Sequence, residues 1–337
     1  MRTTIALVVI LLAIVGVVVF VQGDGDNDAQ GYTDYEGDFA IKEIDRVHRV
    51  VLTHGDKRQF DLRRTSDGWT VNNLYKARMS SVEPLLEVIQ RVDIKYIPPQ
   101  AAMDYIIWDI GANAIKVEIF DRQDDLIKTY YVAGSTADER GTHMIMEGSR
   151  QPFVMHLPTM DGSFRARFTL GIDDWRDRHF MPMQPDEITR VVVEYPRQKS
   201  QSFILEADKG TYEVTPLYPD LRTYPDRPRS GAADLYLRAL TGMACESYET
   251  NYAAVDSIRS LQPFSRIAIV CQDSTRNALL HLYPKGPLVH SEFSPAVHRF
   301  FVDLIPGDFM VAQHGVIREM LRGYDFFFEG EDQELIF

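Results

Sequence analysis

The densest group of ionisable side chains in this 337-residue sequence is Asp173-Asp174-Trp175-Arg176-Asp177-Arg178. A pair of carboxylates beside a guanidinium is the minimum for general acid/base chemistry, which would fall to Asp174 and Asp177 with Arg176 between them. The same residue types also build an ion-paired linker around a packed indole. The linker reading is adopted because no catalytic motif surrounds the pair. It makes Trp175 an inter-repeat packing residue, with Asp174, Arg176 and Asp177 around it.

Other chemistry is thinner. The nine histidines include no His-x-His or His-x-x-x-His spacing, so no metal centre is expected. No Gly-x-Ser-x-Gly elbow, Walker loop or Gly-x-Gly-x-x-Gly turn is present, so neither an enzyme nor a cofactor is expected. Asp24-Gly25-Asp26-Asn27-Asp28 starts like a calcium loop but has Ala29 and Tyr35 where that loop needs Gly and Glu. The only two cysteines, Cys245 and Cys271, either form one disulfide or stay as separate buried thiols.

The elements that carry these residues are written twice. Phe60-Asp61-Leu62 precedes Trp69-Thr70-Val71 with the spacing by which Phe203-Ile204-Leu205 precedes Tyr212-Glu213-Val214. Each set follows a β-branched run (residues 47–52 and 188–193) and precedes a helical run (82–92 and 232–240). Ser80 or Ser81 is expected to cap the first helix. Ile97-Pro98-Pro99 interrupts regular structure before a short helix at residues 101–111. Further strands are expected at 115–119, 126–132, 143–146 and 153–157; the polar loop at 134–141 is read as a hairpin. In the second copy, residues 266–270 answer 115–119, 278–283 answer 126–131, and 309–311 answer 153–155. The fold class is therefore α+β: two related repeats, each an antiparallel sheet with a helix on one face. The first occupies residues 41–160 and the second 188–316. A linker spans 161–187, and an aromatic then acidic tail, a last strand or a contact segment, spans 317–337.

Residues 5–21 are apolar or Gly, a run of about 26 Å as a helix, with Arg2 before it and six acidic residues between 24 and 38 after it. Residues 1–23 are read as one transmembrane helix with its N-terminus in the cytoplasm, and a cleaved signal peptide is the alternative. Residues 24–40 form an acidic, flexible tether. Either way the body lies outside the cytoplasm. A formal charge of −13 argues against nucleic-acid binding, which needs clustered Lys and Arg.

The chain resembles an uncharacterised bacterial family, domain of unknown function 4340, in its Bacteroidetes-type form with a single N-terminal anchor. The resemblance rests on Phe60-Asp61-Leu62, Gly68-Trp69-Thr70-Val71, the helix start from Ala77-Arg78 to Leu86, and Ile115-Lys116-Val117-Glu118-Ile119-Phe120. It continues through Tyr130-Tyr131-Val132-Ala133-Gly134, Glu147-Gly148, Pro152-Phe153-Val154 and Asp174-Trp175-Arg176-Asp177. It covers residues 41–193 and implies a membrane-anchored envelope protein whose relatives lie near ABC-type transport and gliding components. It carries over no catalytic residue.

The expected function is that of an accessory subunit in an envelope assembly of the bacterial inner membrane, with its bulk in the periplasm and an ABC-type transporter as a partner. The alternative is a glycan- or lipid-binding protein that uses a groove between the repeats lined by Trp69, Trp175 and Tyr212.

Overall fold

The structure, a computed structural model, describes residues 34–181, 183–221, 227–286 and 298–329. The apolar run at 5–21 lies outside them, and no described helix is long and apolar enough to cross a membrane. The chain is α+β and divides into two compact units between Asp177 and Arg178.

In the first unit, β1 (Arg49–Thr53) is buried through its middle three residues, and alternating burial along β2 (Gln59–Thr65) and β3 (Gly68–Val71) marks a meander with one face on the core. The short β4 (Tyr75–Lys76) leads into α1 (Met79–Arg91), which lays Val82, Leu85, Val88 and Ile89 on the same core. Then come β5 (Asp93–Tyr96), α2 (Gln100–Asn113), β6 (Ile115–Phe120), β7 (Leu126–Ser135), β8 (Thr142–Met146) and β9 (Phe153–His156). All nine strands join one antiparallel sheet in the order β4-β3-β2-β1-β6-β7-β8-β9-β5.

The second unit holds β10 (Ile188–Glu194), β11 (Phe203–Asp208), β12 (Thr211–Pro216), α3 (Ala232–Thr241), β13 (Ser247–Tyr248) and α4 (Val255–Arg259). It continues with β14 (Ser265–Cys271), β15 (Ala278–Pro284), β16 (Arg299–Ile305) and β17 (Phe309–Gln313). Its sheet order is β12-β11-β10-β14-β15-β16-β17-β13. That is the first unit's order without β4, and the helices fall at the same points in the chain.

Register extends the match. Val50 pairs with Leu62 and Ile119 as Val191 pairs with Leu205 and Ile269. Ile115↔Val132↔Met144↔Phe153 runs across four strands as Ser265↔Leu282↔Val302↔Met310 does. The correspondences expected for the later strands need correction. Residues 266–270 and 309–311 are each one residue out, and 278–283 two. Only the pairing ladder fixes register, and a one-residue slip exchanges the two faces.

Several boundaries also differ from expectation. From Asp34 the tether belongs to the first unit. Phe39 is buried against Tyr130 and Phe153, with ring centroids 6.0 and 5.8 Å away, and Asp38 pairs with Lys128 at 3.0 Å. The helix α1 is not capped by Ser80 or Ser81. Arg78, extended, precedes Met79, and Ser81 Oγ donates to the Asp174 carbonyl at 2.9 Å. The described residues of 161–187 contribute apolar side chains to the two cores rather than forming a free spacer. Phe164 and Phe168 lie in the first unit's core, and Phe180, Met181 and Met183 in the second's. The tail as far as Glu329 is neither strand nor contact segment. Tyr324, Phe326, Phe327 and Phe328 are buried, and Phe327 meets Phe203 at 4.8 Å and Tyr236 at 5.5 Å.

Candidate functional site

The stretch from Asp173 to Asp177 is a packing device of the first unit, and Arg178 begins the second. Trp175 ends a single helical turn (Ile172–Trp175) and is fully buried in that unit's core. Asp174 Oδ2 accepts the Gly171 N–H at 3.1 Å, the third-position carboxylate reaching back to the N-cap residue as in a capping box. Arg176 is buried, lies 3.9 Å over the Tyr75 ring and 3.8 Å from Asp173, and makes a β-bridge to Ala77. The Asp177 N–H donates to the Lys76 carbonyl at 2.8 Å. These bonds tie the segment to β4 and α1, so Asp174 is committed to backbone geometry rather than aimed at a substrate.

The aromatics proposed for a groove separate. Trp69 is buried beneath Arg64, whose guanidinium lies 5.2 Å from its ring, and it is as unavailable to a ligand as Trp175. Tyr212, at the corresponding register position in the second unit, is 41% exposed. It lines a cleft of about 610 Å³ of mixed polarity with Asp186, Thr189, Asp208 and the Asp234–Arg238 ion pair. Cys245 and Cys271 are buried thiols, not joined in a disulfide. Cys271 Sγ donates to the Arg276 carbonyl at 3.7 Å, and burial raises its pKa. Among the described residues, no group of three His, Cys, Asp or Glu could hold a metal ion.

The helix α2 departs from the pattern of a surface helix. Such a helix shows one apolar stripe, whereas a helix apolar all round is normally covered. Here Ile106 and Asp109 are the buried positions, and Tyr105, Ile107 and Trp108 are 63%, 54% and 63% exposed. The rings of Tyr105 and Trp108 are 6.1 Å apart. The inward face is held by a polar clasp. Asp109 Oδ2 accepts the Gly134 N–H at 2.7 Å, and Asp109 Oδ1 accepts Asn113 Nδ2–H at 2.9 Å. Arg165 donates to the carbonyls of Val132 at 3.0 Å and Asn113 at 2.8 Å, its pKa lowered by burial against the pull of Asp109. Gly134 permits the approach, since a Cβ there would lie 2.6 Å from Asp109 Oδ2.

Beside this clasp opens a cleft of about 400 Å³. Tyr96, Pro98, Tyr105, Ile106 and Val154 make it apolar, and Ser135, Thr136 and His143 supply its polar groups. His143 is 7% exposed, and its Nδ1 is buried without a hydrogen-bond partner. Burial lowers its pKa, and the Asp109 carboxylate and a hydrogen bond to the Gly134 backbone oppose that shift. The loop 134–141 joins β7 to β8 and is braced internally: Thr136 Oγ1 donates to Asp138 at 2.5 Å and accepts the Gly141 N–H at 3.0 Å. An apolar cleft with one neutral imidazole can hold a ring or hydrocarbon and fix one polar group on it.

Neither α2's exposed face nor His143 stood out in the sequence. The available signal was the lack of helical periodicity in an apolar segment at residues 100–113. Compared with known proteins, the chain matches no family model, no curated protein and no solved structure.

Proposed function

We propose that this chain is a membrane-anchored interaction protein of the bacterial envelope, an accessory subunit whose partner docks on the outer face of α2. One observation carries the reading: a helix held inward by Asp109 turns Tyr105, Ile107 and Trp108 to solvent. Exposed aromatics of this kind, grouped on one element, are the residues that anchor protein interfaces.

The rest of the proposal draws on the sequence. Residues 1–23 anchor the protein in the inner membrane, with the N-terminus in the cytoplasm and the units in the periplasm. The two units arose by duplication, which the shared strand order and register support. Kinship with the domain of unknown function 4340 family rests on the residues quoted above and favours an ABC-type transport or gliding component as partner.

The test is affinity purification of a tagged full-length copy after in-cell crosslinking, with mass spectrometry of what remains attached. One membrane complex in stable proportion is expected, and its loss in Trp108→Glu. Solitary monomers under gentle solubilisation would refute the reading. Glycan binding retains one supporting feature, the Tyr212 cleft with its carboxylates and Arg238.

A further inference from the structure

We infer that the cleft beside α2 receives a phenolic ring, the tyrosine side chain of the docking partner, with its hydroxyl hydrogen-bonded to His143. This rests on the docking reading above and specifies its chemistry.

The second unit shows what the same place on the sheet holds when it is filled. Because Met144 corresponds to Val302 and Phe153 to Met310, the neighbouring positions on the opposite face are His143 for Phe301 and Val154 for Val311. Phe301 stacks on Phe309 with centroids 5.3 Å apart, and with Tyr283 and Val311 it forms a small buried cluster of its own. By the same register Tyr283 corresponds to Ala133. The first unit thus has an alanine and an imidazole where the second has two rings, and a cleft opens at His143.

The chemistry of the ligand follows from the residues that line the cleft. Tyr96, Tyr105 and Val154 offer the edge and face contacts that aromatic rings prefer. His143 presents a buried nitrogen with no partner, a costly state that a polar ligand atom would relieve. Nδ1 is a donor in one tautomer of the ring and an acceptor in the other. A hydroxyl both donates and accepts, so it satisfies either tautomer, whereas an indole N–H satisfies only one. The tyrosine is assigned to a protein because the cleft adjoins the exposed face of α2. Tyr105 belongs to both.

The experiment follows the His143 imidazole by NMR in full-length protein in lipid nanodiscs. It is titrated with N-acetyltyrosinamide, N-acetylphenylalaninamide and p-cresol. The tyrosine amide should bind saturably and shift His143, and the phenylalanine amide, lacking only the hydroxyl, should bind about tenfold more weakly. In His143→Phe, which copies the second unit, the melting temperature should hold or rise while binding of the tyrosine amide disappears. Equal binding of the two amides, an unmoved His143 resonance at saturation, or unchanged binding in His143→Phe would each overturn the inference. Binding of p-cresol without the tyrosine amide would overturn the assignment to a partner's side chain. The docking reading fails separately, by loss of the partner complex rather than of probe binding.

Discussion

Asp303 and Arg259 form a charge pair in which only one member is withdrawn from water. The carboxylate is 1% exposed and accepts two guanidinium hydrogen bonds, at 2.7 and 3.0 Å, while the arginine side chain keeps 42% of its exposure. Removing the arginine strands a buried charge; removing the acid returns an arginine to solvent. Arg259→Met should therefore cost about 3 kcal/mol and Asp303→Asn about 1 kcal/mol, measured by denaturant unfolding. The reverse order would mean that burial does not govern the pair. Histidines set a second residue-scale expectation. Burial lowers the pKa of His54, His143, His281 and His314 below the ordinary 6.5, so between their folded values and 6.5 the unfolded chain binds more protons. Stability present above pH 6.5 is lost as pH falls through the folded values. His143→Phe should thus flatten the fall in melting temperature from pH 7.5 to 5, with Asp109 the charged group opposing the effect. An unchanged slope would show that His143 is not buried as neutral imidazole.

At the scale of elements, α2 separates seat from surface. Gly134→Ala drives a methyl group against the Asp109 carboxylate and should destabilise the fold by about 1–2 kcal/mol, whereas Trp108→Glu should stay within about 0.5 kcal/mol. Thermal melts of both variants decide the point, and a large loss in Trp108→Glu would make that side chain structural. The strands were largely legible in the sequence because alternation of apolar residues is the physical signature of a half-buried strand; Ile115, Val117 and Ile119 show it. The duplication signal at Phe60/Trp69 and Phe203/Tyr212 coincides with true register equivalents. Later strands slipped because a run such as Ile267-Ala268-Ile269 fits its counterpart about as well when displaced, and only hydrogen bonding chooses. The helix α2 was legible as a helix but not as a site, since a segment apolar on every side does not announce which side is inward. Only the alternative glycan- or lipid-binding reading makes Trp69 and Trp175 ligand contacts, and it fails for them because aromatic type does not distinguish a core ring from an exposed one.

For the molecule as a whole, each unit has its own principal hydrophobic cluster and its own antiparallel sheet. Residues 34–177 expressed alone should therefore melt cooperatively and retain His143 in its buried environment. A featureless melt would mean that the first unit depends on the second. The proposed docking face of α2 is what the first unit presents to its surroundings. It is tested most directly by a photo-crosslinking residue placed at position 108 in full-length protein in living cells. The control position is 235, which carries a similarly exposed leucine on α3. The expected result is one discrete crosslinked species from position 108 and none from 235. No adduct from 108, or the same diffuse adducts from both, would contradict a docking face on α2.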